Sequence, residues 1–215
     1  MKKILVFDMD GTLLDSMGMW ANLPNDLSEK AHLLSSENKM AAEEGSMIHY
    51  CYEYTRDALP DVSQEKIYAL IHDHVVKFYS QNNLAKPFVY EKLKELHEKG
   101  YKMYVATATD HYFANIAIKS NGLSEFITKI YTPDTLMYKK ENIEYFNSFI
   151  KDIGAERENI IFFDDALYAN KNANQSGIIS VGVYDEHSYY NDKVKDVAKF
   201  FINNFSELTD EILNY

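Results

Sequence analysis

The sequence predicts an α/β fold, in which a doubly wound, Rossmann-like parallel sheet carries an inserted α-helical cap. Two observations support this class: short apolar runs alternate with helical patterns along most of the chain, and one long segment contains helical patterns alone. Alternating strands and helices imply right-handed crossovers, which place the strands parallel in one sheet. A segment without strands cannot join that sheet, so we expect it to form a separate helical layer.

The first apolar run, Ile4–Phe7, is four residues long and has a charged residue on each side. Continuous apolar character over so short a length is typical of a central parallel strand that is buried on both faces. Three further runs share this character, and a fifth shows it more weakly. They are Lys102–Thr107, Ile160–Phe163, Ile178–Val183 and, as the weaker candidate, Ile127–Tyr131.

Helical patterns separate these strands, and four of them run up to a glycine. In the first, Leu93 and Leu96 share one face, and Gly100 follows where a C-terminal cap is expected. Thr109 or Asp110 is predicted to cap the start of the second helix. The predicted helices are Val89–Lys99, His111–Asn121, Lys140–Ile153 and Leu167–Ser176.

The segment from residue 17 to residue 83 interrupts this alternation. It contains no convincing strand, and its apolar residues recur at helical spacing, as at Ile67 and Ile71. We therefore predict two domains. Residues 1–16 and 84–215 form the α/β core, and the segment between them forms the helical cap.

The composition excludes two classes of partner. The chain has 215 residues with 22 Lys and Arg against 33 Asp and Glu, a formal net charge of −11, and it lacks a basic run. A nucleic-acid-binding protein needs a positive face to displace counterions from the phosphate backbone. No apolar stretch approaches the ~20 residues that cross a membrane. We therefore expect neither nucleic acid nor membrane as a partner.

The single cysteine, Cys51, cannot form an internal disulfide, which favours a reducing compartment and an inert, buried thiol. The apolar run near the amino terminus, Ile4–Phe7, is shorter than the ~7–15 residues of a secretory signal. These features predict a cytoplasmic protein.

Polar residues follow the predicted strands at their carboxyl ends, where open parallel sheets bind ligands. Four carboxylates gathered there repel each other unless a cation lies among them. Oxygen ligands without Cys or His suit Mg²⁺. The same groups can transfer a phosphoryl group, with one carboxylate as nucleophile and another as acid and base. The residues are Asp8, Asp10, Thr107, Thr109, Asp164 and Asp165, with Lys139 and Lys140 ahead of the strand that precedes the last pair.

The segment Phe7–Leu13 reads Phe-Asp-Met-Asp-Gly-Thr-Leu and resembles the first motif of the haloacid dehalogenase (HAD) superfamily of phosphohydrolases. The resemblance implies that Asp8 is the nucleophile and that Asp10 is the acid and base, with a backbone carbonyl that also contacts the metal. Val105–Thr107 is similar to the second motif, so that Thr107 would hydrogen-bond the phosphoryl group.

Lys140 is similar to the third-motif lysine, and Phe162–Asp165 is similar to the fourth, metal-binding motif. A helical insert between the first two motifs resembles the C1 cap of the family's phosphatase and β-phosphoglucomutase branch. In that branch proline usually follows the lysine, whereas Glu141 follows it here, so Lys139 stays an alternative. The metal ligands that the resemblance implies are Asp8, Asp10, Asp164 and Asp165.

The function that this resemblance implies is a Mg²⁺-dependent phosphomonoester hydrolase, which acts on a small phosphorylated metabolite through an aspartyl-phosphate. The alternative is a phosphomutase, such as a β-phosphoglucomutase-like enzyme, with the same core and a cap that excludes water. A non-catalytic binding module is less favoured, because every catalytic residue type is present.

Overall fold

A computed structural model describes residues 2–30, 39–42 and 46–215 of the chain. Within these ranges, six strands form one sheet in the order β3-β2-β1-β4-β5-β6, and each neighbouring pair is parallel. The strands are β1 (Ile4–Phe7), β2 (Lys102–Ala106), β3 (Ile127–Tyr131), β4 (Ile160–Asp164), β5 (Ile179–Val183) and β6 (Phe200–Ile202).

Helices connect the strands and also fill the segment between β1 and β2. Among the described residues they are α1 (Met17–Lys30), α2 (Met47–Thr55), α3 (Gln64–Tyr79), α4 (Val89–Glu98), α5 (His111–Ser120), α6 (Pro133–Leu136), α7 (Ile143–Ile153), α8 (Leu167–Gln175), α9 (Asn191–Val197) and α10 (Asp210–Leu213).

Strand β1 lies at the centre of the sheet, paired with β2 on one side and β4 on the other. Its side chains alternate between two hydrophobic clusters. Leu5 and Phe7 belong to the cluster on one face, and Val6 belongs to the cluster on the opposite face. All three are fully buried. Burial on both faces explains why β1 has no polar residue until the chain leaves the sheet at Asp8.

The doubly wound fold class is confirmed. The chain winds outward from β1 to β3, then returns to place β4 on the other side of β1. The strand order therefore reverses between β1 and β4, and the carboxyl ends of these strands border the crevice where such sheets bind ligands. All five predicted strands are present within a residue of their expected bounds.

Two sequence predictions need correction. Strand β6, Phe200–Ile202, was not predicted, because three residues at a sheet edge carry too little periodicity. Helix α7 begins at Ile143 and not at Lys140, because the side chain of Asn142 accepts a hydrogen bond from the Glu144 backbone N–H and caps the helix there.

Helices α1, α2 and α3 pack on one another, and their buried residues join the hydrophobic cluster on one face of the sheet. The segment that leaves the sheet after β1 lies beside the segment that returns towards it before α4, and backbone hydrogen bonds join the two. The Asp15 N–H donates to Leu84 O at 2.8 Å, and the Lys86 N–H donates to Leu13 O at 2.9 Å. The division into a core and a cap over residues 17–83 stays a prediction, and residues 31–38 and 43–45 of that cap lie outside the described residues.

None of the helices in the described part of the chain combines the length and the apolar character that crossing a membrane requires.

Candidate active site

The carboxyl ends of β1 and β4 bring three buried acids together. Asp8 directly follows β1, Asp164 ends β4, and Asp165 is the next residue. One carboxylate oxygen from each lies within 4.8 Å of the others. The structure therefore places three of the four predicted metal ligands in one cluster, although the chain separates Asp8 from the pair by more than 150 residues.

Lys140 inserts its ammonium group between two of these acids. Its Nζ lies 2.6 Å from Asp8 Oδ1 and 2.7 Å from Asp164 Oδ2, and the side chain is only 1% exposed. Lys139 is exposed, and its Nζ lies 4.7 Å from the centroid of the Tyr50 ring. Of the two lysines that the sequence left open, Lys140 is therefore the one that contacts the acids.

The acids of this cluster are hard to ionise together. Burial raises the pKa of the Asp8 carboxyl to about 8, although Lys140 opposes the shift. Burial also raises the pKa of Asp164, again against Lys140, and raises the pKa of Asp165 well above its ordinary value with the help of Asp164 and Asp8. Burial alone would lower the pKa of Lys140, but the neighbouring carboxylates outweigh it and hold that pKa high. The single ammonium group of Lys140 is thus not enough positive charge to keep all three buried acids ionised.

The donor set fits a hard divalent cation. The three clustered side chains offer carboxylate oxygens, with no Cys or His among them, which matches the preference of Mg²⁺. A cation among them would offset the repulsion and the burial that raise the three carboxyl pKa values.

The loop after β1 keeps Asp165 in place beside this cluster. Thr12 Oγ1 donates to Asp165 Oδ1 at 3.2 Å and accepts from the Asp165 backbone N–H at 3.1 Å. Gly11 has a φ of +76°, and a Cβ on it would lie 2.7 Å from the Asp165 carboxyl carbon. Glycine is therefore required here both by the backbone conformation and by the space.

Asp10 is not one of the three clustered acids, and its carboxylate has hydroxyl partners. Ser16 Oγ and Tyr79 Oη each donate to Asp10 Oδ1 at 2.6 Å, and Thr109 Oγ1 donates to Oδ2 at 2.7 Å. Trp20 Nε1 in turn donates to the Tyr79 hydroxyl at 3.2 Å. The Asp10 carboxylate is thereby oriented from three separate parts of the chain.

The loop after β2 contributes Thr107 and Thr109. Thr107 is buried, its backbone O accepts from the Tyr145 hydroxyl at 2.8 Å, and its Oγ1 accepts from the Thr109 N–H at 3.2 Å. The expected capping of α5 is wrong: Thr109 uses its hydroxyl on Asp10, while Asp110 stands at the N-cap position but accepts from the Met47 N–H of α2. Contact with another element has replaced the local cap.

The family model for the haloacid dehalogenase-like hydrolases matches residues 5–183, which is most of the chain. The chain belongs to the haloacid dehalogenase-like hydrolases. Among curated relatives of this hydrolase, the pyrophosphatase PpaX of Halalkalibacterium halodurans is 26% identical over 75% of this chain and 74% of its own. The phosphoglycolate phosphatase of Mesorhizobium japonicum is 24% identical over 98% of this chain and 95% of its own.

Solved structures agree on the fold of the hydrolase. A candidate β-phosphoglucomutase from Thermotoga maritima superposes with a TM-score of 0.74 at 20% identity, over 99% of this chain and 97% of its own. The family that the motifs predicted is thereby confirmed, and so is an enzyme of the phosphatase or phosphomutase kind.

A cavity of about 320 Å³ opens above the acids of the hydrolase. Asp8, Asp10, Thr107, Lys140 and Asp165 line it, so most of the predicted site residues meet at one opening. Side chains from α1, α2 and α8 form its walls, namely Met17, Trp20, Met47, Tyr50, Cys51, Tyr54 and Tyr168. Cys51 is buried as expected, and burial raises the pKa of its thiol to about 11.

Sequence reasoning missed the partners of Asp10. The sequence predicts Ser16 only as the last residue before the cap and Thr109 as a strand-end residue or helix cap, and it gives Tyr79 no role. Tyr79 ends α3, 69 positions after Asp10. No local pattern marks such a tyrosine, because only the packing of α3 against the loop after β1 brings it to the acid.

Proposed function

We propose that this hydrolase is a Mg²⁺-dependent phosphatase, which cleaves the phosphomonoester of a small metabolite through an aspartyl-phosphate on Asp8. The observation that carries the proposal is the position of the Asp8 carboxylate: it lines the cavity, 2.6 Å from the Lys140 ammonium and within the three-acid cluster. Phosphoryl transfer depends mainly on positioning and on neutralising charge, which is what such an arrangement supplies. The curated relatives act, by their names, on small phosphorylated compounds.

The residues that would hold Mg²⁺ are Asp8, Asp164 and Asp165, with the backbone carbonyl of Asp10. When bound, the ion would keep Asp8 ionised near neutral pH and stabilise negative charge on the phosphoryl oxygens.

In the first step, an Asp8 carboxylate oxygen attacks the phosphorus and the bond to the ester oxygen breaks. Asp10 enters this step protonated and donates its proton to the leaving alkoxide. The hydroxyls of Ser16, Tyr79 and Thr109 orient Asp10 for this transfer. The products are a free alcohol and a phosphorylated Asp8.

In the second step, Asp10, now a carboxylate, takes a proton from a water molecule. The water oxygen attacks the phosphorus, and the bond from phosphorus to Asp8 breaks to release inorganic phosphate and restore the carboxylate. Thr107 and Lys140 hold the phosphoryl oxygens through both steps, which offsets the charge that develops there.

The proposal is tested by replacing Asp8. We expect Asp8→Asn to lower Mg²⁺-dependent phosphate release from 4-nitrophenyl phosphate at least about 1,000-fold, because the nucleophile is lost. The fold should persist, since the change removes one of three mutually repelling acids, and circular dichroism checks this. Asp15→Asn, at an exposed aspartate of the same loop, is the matched control and should retain activity. Full activity of Asp8→Asn would exclude Asp8 as the nucleophile.

A phosphomutase is the second candidate, and the fold shared with a candidate β-phosphoglucomutase favours it. A mutase passes the phosphoryl group from Asp8 to a second hydroxyl of the substrate, without release of phosphate. Product analysis with glucose 1-phosphate and Mg²⁺ separates the two: conversion to another sugar phosphate without free phosphate identifies the mutase, and free phosphate identifies the hydrolase. The cytoplasmic location stays a prediction.

A further inference from the structure

One face of α2 presents apolar side chains to the cavity, and of these Met47 also packs against the hydrophobic core. Met47, Tyr50 and Tyr54 follow the i, i+3, i+7 spacing of a single helical face and all three line the cavity. The Tyr50 and Tyr54 side chains are 62% and 46% exposed, whereas Ile48 on the other side of the helix is buried. Leaving aromatic surface in water is unfavourable, so a face of this kind suits an apolar group that covers it.

The other walls of the cavity continue this surface. Met17 and Trp20 of α1 line it and are half-buried, and Tyr168 of α8 lines it and is 38% exposed. These side chains surround the space next to Asp8 and Asp10. A phosphomonoester whose phosphate reaches Asp8 would therefore place its alcohol portion among aromatic rings and methionine side chains.

Charge in the cavity disfavours a second anionic group on the substrate. Lys139 and Lys140 are the only Lys or Arg side chains among the described residues that line it. Lys140 is held by Asp8 and Asp164, and Lys139 lies over the Tyr50 ring. Asp110 and Glu141 add negative charge to the same lining. A substrate carboxylate or second phosphate would meet these acids, and among the described lining residues Lys139 is the one cation that the acids do not already hold.

From these observations, and resting on the proposed phosphatase function, we infer that the substrate is a phosphomonoester of an uncharged, flat and largely apolar alcohol, whose ring packs against Tyr50 and Tyr54. This class differs from the compounds in the names of the curated relatives, phosphoglycolate and pyrophosphate, each of which carries further negative charge.

Three substrates with leaving alcohols of similar basicity test the inference: benzyl phosphate, ethyl phosphate and 2-phosphoglycolate. Differences in kcat/KM among them report the pocket and not the intrinsic reactivity of the ester. We expect kcat/KM for benzyl phosphate to exceed that for ethyl phosphate by about tenfold, because the ring stacks on aromatic side chains. The value for 2-phosphoglycolate should be no higher than that for ethyl phosphate. A preference for 2-phosphoglycolate that disappears in Lys139→Met would overturn the inference.

Variants locate the ring site. Tyr50→Ala and Tyr54→Ala should each lower the benzyl-to-ethyl ratio of kcat/KM by roughly 3- to 10-fold, the range expected for one lost aromatic contact. Tyr190→Ala is the matched control, because Tyr190 is 52% exposed and is not among the residues that line the cavity. An unchanged ratio in both cavity variants would contradict the inference.

The outcome separates failure of the inference from failure of the proposed function. Equal turnover of benzyl and ethyl phosphate would reject the apolar substrate class and leave the phosphatase intact. If none of the three esters releases phosphate, the proposed function is in doubt, and binding then decides the inference. Benzylphosphonate should bind the Mg²⁺-loaded protein about tenfold more tightly than ethylphosphonate by calorimetry, and equal affinities would overturn the inference.

Discussion

The Asp10 carboxylate differs from the neighbouring acids in the type of group that it contacts. Asp8 and Asp164 contact an ammonium group, whereas Asp10 accepts hydrogen bonds from three hydroxyls. Hydroxyl partners can accept as well as donate, so they can remain bonded when the acid gains a proton. The alternation between acid and base that we propose for Asp10 needs this kind of support, and a structural ion pair would oppose it.

Tyr79 is the donor whose removal tests this support. We expect Tyr79→Phe to lower kcat by about 10- to 100-fold with a smaller effect on KM, because a hydrogen bond to a charged group is lost while the ring still fills its site. Tyr68→Phe is the control on the same helix, where the hydroxyl contacts His49 and not the acids. A loss of stability with unchanged kcat would show that the Tyr79 hydroxyl stabilises the fold alone.

At the scale of elements, the edge strand β3 is tied to helix α7 by one acid. Asp152 Oδ2 accepts from Lys129 Nζ at 2.6 Å and from the Tyr131 hydroxyl at 2.7 Å. These hydrogen bonds, from Lys129 first, lower the pKa of Asp152. Since the folded-state pKa lies below the unfolded one, the stabilisation is present above the unfolded value, near 4, and is lost as pH falls through the folded value.

Replacing Asp152 should therefore lower the free energy of unfolding by an amount that depends on pH. We expect Asp152→Asn to lower the free energy of unfolding by about 0.5–1 kcal/mol at pH 7, since the Asp152 and Lys129 side chains are both about half exposed and screened by water. The difference should stay constant from pH 7 down to about 4 and shrink below that, as pH falls through the lowered folded-state pKa of Asp152 and the parent side chain loses its charge. Urea unfolding at several pH values measures this, with exposed Asp61→Asn as the control. A loss of unfolding free energy that does not vary with pH would show that the charge of Asp152 is not its source.

At the scale of the whole molecule, Lys140 links segments that are distant in the chain. Its ammonium group joins the end of β1 to the end of β4, and its own backbone lies in the loop that leads to α7. The three-acid cluster thus depends on a buried cation that the sheet and the loop must place together. Breaking a buried ion pair by removing one partner is costly, because the remaining charge stays buried.

Lys140→Met should destabilise the metal-free protein by about 3 kcal/mol or more, as measured by urea unfolding in EDTA. Added Mg²⁺ should restore part of this loss, because it replaces the missing positive charge and binds only the folded cluster. Lys139→Met is the neighbouring control and should change the free energy of unfolding by less than about 0.5 kcal/mol, since that side chain is exposed. Equal effects of the two changes would contradict the assignment of Lys140 to the cluster.

Much of the fold was accessible from the sequence because the central strands are buried on both faces. Ile4–Phe7 and Ile160–Phe163 read as continuous apolar runs, and the structure has both as strands. The short edge strand β6 was not predicted, because a strand at the edge of a sheet need not be a continuous apolar run. The start of α7 was placed early, because Lys140 itself belongs to the buried cluster and not to a helix.

The family, the sheet and the placement of the acids at the carboxyl edge of that sheet can all be inferred from the sequence. This follows because parallel strands end on one side, so that Asp8 and Asp164 must meet wherever their strands pair. The folded arrangement was needed to show that Lys140 and not Lys139 enters the cluster, and that Tyr79 and Thr109 hydrogen-bond Asp10. Contacts of that kind depend on how helices and loops pack across the sheet. The local spacing of residues does not predict that packing.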